Sequence, residues 1–147
     1  MLSRHCEYQG HKIYSCRNKF STFTTKMKLA LIIGIGSFIG GFSRYLLSLL
    51  IQAKTTSPFP LHTFIINIIG CFLIGIVFGF FDKGQISGEW KLFLATGILG
   101  GFTTFSAFSI ETLTLFREGY AVYALVYIFA SVFLGLLLTY IAYSLVK

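Results

Sequence analysis

Residues 97 to 109 read GILGGFTTFSAFS and combine three kinds of group that can handle an ion in a dry environment. Gly97, Gly100, Gly101, Thr103, Thr104, Ser106 and Ser109 either weaken a helix or offer hydroxyls that compete for its backbone. A helix broken here frees carbonyls. In hydrocarbon a freed carbonyl is costly unless it meets a partner, and discontinuous membrane helices use such carbonyls to hold a cation. An unbroken glycine-rich helix is the competing reading. Phe105 and Phe108, three apart, project from one helix face. An aromatic ring has a negative face and a positive edge, so a ring edge can meet a small anion without the full charge that would trap it, as a channel site requires. In a chain with 17 phenylalanines, packing or lipid contact is the plainer role for such a pair.

Other polar residues inside apolar stretches extend the same chemistry. Asn67 carries an amide that is costly to bury in lipid and can either donate N–H groups to an anion or bond a neighbouring helix. Arg44, in GGFSRY, is the lone cation of its run; it can draw anions into a wet vestibule or simply reach the interface. Tyr127 and Ser131, at i and i+4, form a hydroxyl track or, for the tyrosine, an interface anchor. Glu111, close to Arg117 and Glu118, is expected to reach water, and His62 to be a solvated ring. No Ser/His/Asp arrangement, metal-ligand cluster or phosphate-cradling loop stands out, so no enzyme chemistry is expected, and no nucleic-acid partner.

These residues must be positioned by membrane helices. Of 147 residues, 55% are hydrophobic and 12% charged, against about 25% charged in soluble domains. Apolar runs from Leu29 to Ile51, Leu61 to Phe81, Trp90 to about Leu113 and Tyr120 to Val146 each reach the ~20 residues a bilayer crossing needs. Alternating strand patterns are absent, so the expected class is an all-α membrane protein with four transmembrane helices in one domain, residues 27–147. Pro58 and Pro60 stop helices between the first two runs. Small residues recur four apart at Gly36 and Gly40, at Cys71, Gly75 and Gly79, and at Gly97 and Gly101, a spacing that lets backbones approach closely. Four such helices hardly enclose a solute path alone, which points to a homodimer.

Residues 1–26 differ, with Arg4, Lys12, Arg17, Lys19 and Lys26 against Glu7 and no apolar core of a signal peptide. They read either as a basic tail at anionic headgroups or as sequence upstream of a true start at Met27. His5, Cys6, His11 and Cys16 lack the paired spacing of zinc sites, and Cys71 reads as a small apolar residue inside a span. With four spans, Lys28, Lys83, Lys91 and Lys147 fall on one side and Lys54 and Arg117 on the other, a weak bias that the tail would strengthen toward a cytoplasmic location for the first side.

The strings GGFSRY (40–45), NIIGCFLIG (67–75) and GILGGFTTFSAFS (97–109) together resemble the Fluc/CrcB fluoride channels, over residues 27–147. The resemblance implies an antiparallel, dual-topology homodimer with two anion pores and a broken third helix. It implies that Asn67 points into the pore, that Phe105 and Phe108 line the fluoride path, and that carbonyls of Gly100 and Thr103 from both subunits hold a buried Na⁺. Arg44 falls near the vestibule. Thr104, Ser106 and Ser109 are candidate pore donors, and Tyr127 and Ser131 map onto a polar track whose next step here is Gly135. The implied function is passive fluoride export across the bacterial inner membrane. A small dual-topology multidrug or cation antiporter, which needs a membrane-embedded acid that the sequence is expected to lack, and a non-transporting structural subunit are the alternatives.

Overall fold

The computed structural model describes residues 15–55 and 57–147, with side chains from residue 23 onward. All regular structure among the described residues is helical. Helix α1 spans Ser15–Gln52 and α2 spans Leu61–Asp82. The third crossing is segmented: α3 begins as Gly88–Lys91, continues as a π-helical stretch over Leu92–Leu99 and ends in the turn Gly100–Phe102. Thr103 and Thr104 are extended, and α4 resumes over Phe105–Arg117. Helix α5 covers Ala121–Val146.

Four helical stretches are long and apolar enough to cross a membrane: Phe23–Gln52, Leu61–Asp82, Gly88–Arg117 and Ala121–Val146. The 22 residues of α2 give about 33 Å of rise, close to the ~30 Å hydrocarbon thickness. Helix α1 is longer and runs without interruption through Met27, so the sequence boundary at residue 26 falls inside it. Residues 1–14, including His5, Cys6 and His11, lie outside the described residues.

Local chemistry sets the ends. Pro60 caps α2, since a proline tolerates the start of a helix but not its interior. Gly84 and Gly119 adopt positive φ of 70° and 84° in the turns after α2 and α4, where other residues would be strained. Tyr143 Oη donates to Asp82 Oδ2 at 2.6 Å, tying the C-terminal ends of α2 and α5 together on one side of the bundle.

The predicted small-residue faces are the packing faces. Helix α1 lies on α3 and α2 lies on α5 as the two most intimate pairs. A Cβ added at Gly40 would collide with the Ile98 carbonyl, and one at Gly101 with the Ser37 carbonyl, so backbone meets backbone there. Inward-facing residues are few: Ile66, Leu115, Ala124, Tyr127 and Ala142 are buried, while Phe38, Phe129, Phe133 and Leu145 stand exposed. That distribution suits a chain whose outer surface meets acyl chains rather than water.

Candidate functional site

The break in the third crossing is the centre of the site. Thr103 takes φ −83° and ψ 158°, and Thr104 φ −150° and ψ 121°. Of the two readings the sequence left open, the broken helix is the one adopted. Its upstream π-helical stretch was not legible in the sequence.

Asn67, reaching across from α2, clasps the break. Its Nδ2 donates to the Thr104 carbonyl at 3.0 Å and its Oδ1 accepts from Thr104 N–H at 2.9 Å. Both backbone groups of the extended residue are thereby satisfied by one amide. The sequence reading offered an anion donor or an interhelical bond for Asn67. The second exists, and one N–H of the amide is still free of it. The Thr104 hydroxyl caps α4 by accepting from Ala107 N–H at 3.2 Å.

These bonds leave two carbonyls short of their usual donors. In an unbroken helix Gly100 O would accept from Thr104 N–H and Thr103 O from Ala107 N–H. Thr104 N–H donates instead to Asn67, and Ala107 N–H to the Thr104 hydroxyl. The two residues implied to hold Na⁺ are thus among those whose carbonyl oxygens lose their helical donors at the break, and oxygen donors are the chemistry a hard cation takes. The fit is with the backbone. Among the described residues no group of three His, Cys, Asp or Glu is poised for a metal.

A cavity of about 330 Å³ opens beside the break and gathers Asn67, Gly100, Thr103, Thr104, Phe105, Phe108 and Ser131, together with Cys71. The Phe105 and Phe108 ring centroids are 5.6 Å apart. Phe108 packs on Tyr127 with centroids 4.9 Å apart, whereas Phe105 stands 78% exposed on the single chain. The Ser131 hydroxyl is buried without a hydrogen-bond partner. Past Ser131 the track loses its hydroxyl: Gly135 faces the Cys71 sulfur, and Thr139 donates to the Cys71 and Gly135 carbonyls at 2.9 Å.

A second cavity, of about 510 Å³, holds Arg44, Thr63, Thr104, Ser106 and Glu111. Ser106 is 3.2 Å from the Thr104 hydroxyl. Ser109 is not brought into this group; it is exposed, and its hydroxyl donates to Phe105 O at 2.9 Å.

Glu111 overturns an expectation. Its carboxylate turns inward, accepting from Thr63 Oγ1 at 2.6 Å and from Tyr127 Oη at 2.8 Å, with His62 Nε2 at 3.3 Å. Neither Glu111 nor His62 is a freely solvated group, with side chains 20% and 25% exposed. Tyr127 is accordingly a fully buried hydrogen-bond donor rather than an interface anchor. The available signal was weak: a carboxylate one helical turn beyond Phe108, and a tyrosine whose partner lies sixteen residues away in sequence.

The geometry joins a broken crossing, released carbonyls and an aromatic pair, and comparison with known proteins gives it a family. The profile of the family described as CrcB-like protein, Camphor Resistance (CrcB), matches residues 31–143. The chain belongs to this family. Among its relatives, a protein of Thermus thermophilus named fluoride-specific ion channel FluC is 44% identical over 119 residues, covering 81% of this chain and 95% of the relative. Proteins of the same name from Oceanobacillus iheyensis and Flavobacterium psychrophilum are 45% identical over 120 residues and 43% over 122, covering 92% and 98% of those relatives. The CrcB-like match encloses the Asn67 clasp, the Thr103–Thr104 break and the Glu111 cluster.

Proposed function

We propose that this CrcB-like protein is a fluoride-selective ion channel that lets F⁻ leave the cytoplasm passively across the bacterial inner membrane, relieving fluoride toxicity. It is a multi-pass channel and not an enzyme. The observation that carries this reading is the 43–45% identity to fluoride-specific channels across nearly their whole length.

The functional unit is an antiparallel homodimer of dual topology, which supplies the cover that the exposed Phe105 lacks in one chain. Phe105 and Phe108 present ring edges to the ion. The second Asn67 N–H and the hydroxyls of Ser131, Thr104 and Ser106 replace part of its water, and Tyr127 holds the track against Glu111. Weak neutral donors in a narrow path suit a small anion that must also leave. Arg44 draws anions to the vestibule. Gly100 and Thr103 of two copies would hold Na⁺ by their carbonyls, supplying a fixed positive charge that offsets part of the cost of taking fluoride out of water.

Glu111 is a carboxylate inside a membrane crossing, the feature a proton-coupled antiporter needs, so the antiporter reading keeps one favourable observation. Purified protein in liposomes, read with a fluoride electrode, separates the two. Rapid electrogenic fluoride efflux that excludes chloride is expected. Proton-driven cation exchange without fluoride flux would establish the antiporter, and no flux of either kind the structural subunit. Replacement Phe108→Ile is expected to leave the oligomer intact and slow fluoride efflux by at least tenfold, about 1.4 kcal/mol on the barrier. Unchanged efflux would remove the ring pair from the path.

A further inference from the structure

Cys71 lies one helical turn after Asn67 on α2, and Gly135 one turn after Ser131 on α5, so each pair continues one face of its helix. Asn67, Cys71 and Ser131 all line the cavity of about 330 Å³ beside the break. The fourth position has no side chain. A Cβ placed on Gly135 would stand 3.2 Å from Cys71 Sγ, closer than ordinary van der Waals contact, so the sulfur occupies space that a side chain on α5 would otherwise take.

The polar groups around this point differ in whether they have a proton to offer. Thr139, the next hydroxyl on the Ser131 and Gly135 face, commits its proton to the Cys71 and Gly135 carbonyls at 2.9 Å, which also ties α2 to α5 at this level. Thr103 donates to Leu99 O at 2.9 Å. The Ser131 hydroxyl is buried with no hydrogen-bond partner in the protein, and it belongs to the wall of the same cavity, so this stretch of the wall holds an unused polar group. Cys71 carries a free thiol, and an S–H is a weak donor.

We propose that Cys71 is a further donor of the anion track, its thiol standing in from α2 for the hydroxyl that α5 lacks at Gly135. The inference rests on the fluoride-channel reading. An S–H binds an anion more weakly than an O–H, which eases the loss of water without holding the ion in place. Plain packing by a small apolar residue is the opposing account. The two make different demands: a donor must be polar, whereas a packing residue need only fill its space.

The test is electrogenic fluoride efflux from proteoliposomes, with the melting temperature in detergent recorded for each variant. Cys71→Val fills the space without a donor and is expected to slow efflux roughly three- to tenfold, the effect of about one hydrogen bond, while the protein still assembles. Cys71→Ser returns a donor and is expected to conduct roughly three- to tenfold faster than Cys71→Val. The exchange variant, Cys71→Ala with Gly135→Ser, moves the hydroxyl to α5 where the sulfur's removal leaves room, and it is expected to outrun Cys71→Ala alone by a similar factor. Cys71→Val efflux equal to the wild type's, or an exchange variant no faster than Cys71→Ala, would overturn the inference and leave the fluoride channel standing. Absence of wild-type fluoride flux would overturn both. Should Cys71→Val fail to assemble, the comparison of Cys71→Ala with the exchange variant decides alone.

Discussion

Asn67 has an architectural role in the structure, and the proposed function adds one in transport. Its amide takes both backbone groups of Thr104, so its removal strands a donor and an acceptor in a poorly hydrated interior. Leaving buried polar groups unpaired costs about 1–3 kcal/mol each. Asn67→Ala is therefore expected to lower the melting temperature in detergent by several degrees as well as to slow fluoride efflux; a variant that melts like the wild type but conducts poorly would assign Asn67 to the ion path alone. Glu111 shows the opposite relation between sequence and role. Beside Arg117 and Glu118 it reads as part of a wet helix end, yet Thr63 and Tyr127 hold it inside. Its partners come from two other helices, and no pattern local to its own helix encodes them.

The broken third crossing is the element on which the site depends, and its weakness was written into its composition. Glycines at 97, 100 and 101 and hydroxyls at 103, 104 and 106 lower the cost of leaving the helix. Composition alone could not choose between a break and a closely packed helix, because the same glycines serve both. The choice was made by the neighbours: Asn67 satisfies the extended residue, and α1 lies so close that Gly40 faces the Ile98 carbonyl. Gly40→Val should drive α1 from α3, since the atom it meets is backbone and cannot rotate aside. A loss of about 1–3 kcal/mol or more is expected, read as a lower melting temperature and a smaller yield of assembled protein. Gly34→Val, where an added Cβ meets nothing within 4 Å, is the matched control and should behave like the wild type.

At the scale of the molecule, the proposed homodimer of this 16.4 kDa chain is open to direct measurement. Light scattering that subtracts detergent should give about twice the chain mass. In a background free of the native cysteines, Lys147→Cys should be labelled by an impermeant thiol reagent from both faces of intact membranes, about half from each. Labelling from one face only would exclude dual topology. The sequence by itself determined the membrane class, the four crossings, the faces on which they pack and the family, because hydrophobic length and small-residue spacing are properties of single segments. Tertiary structure decided where the third helix breaks, which carbonyls that break releases, and that Glu111 and His62 face one another. Those outcomes depend on polar groups finding partners across helices distant in sequence, where the absence of water makes each unsatisfied group too costly to leave alone.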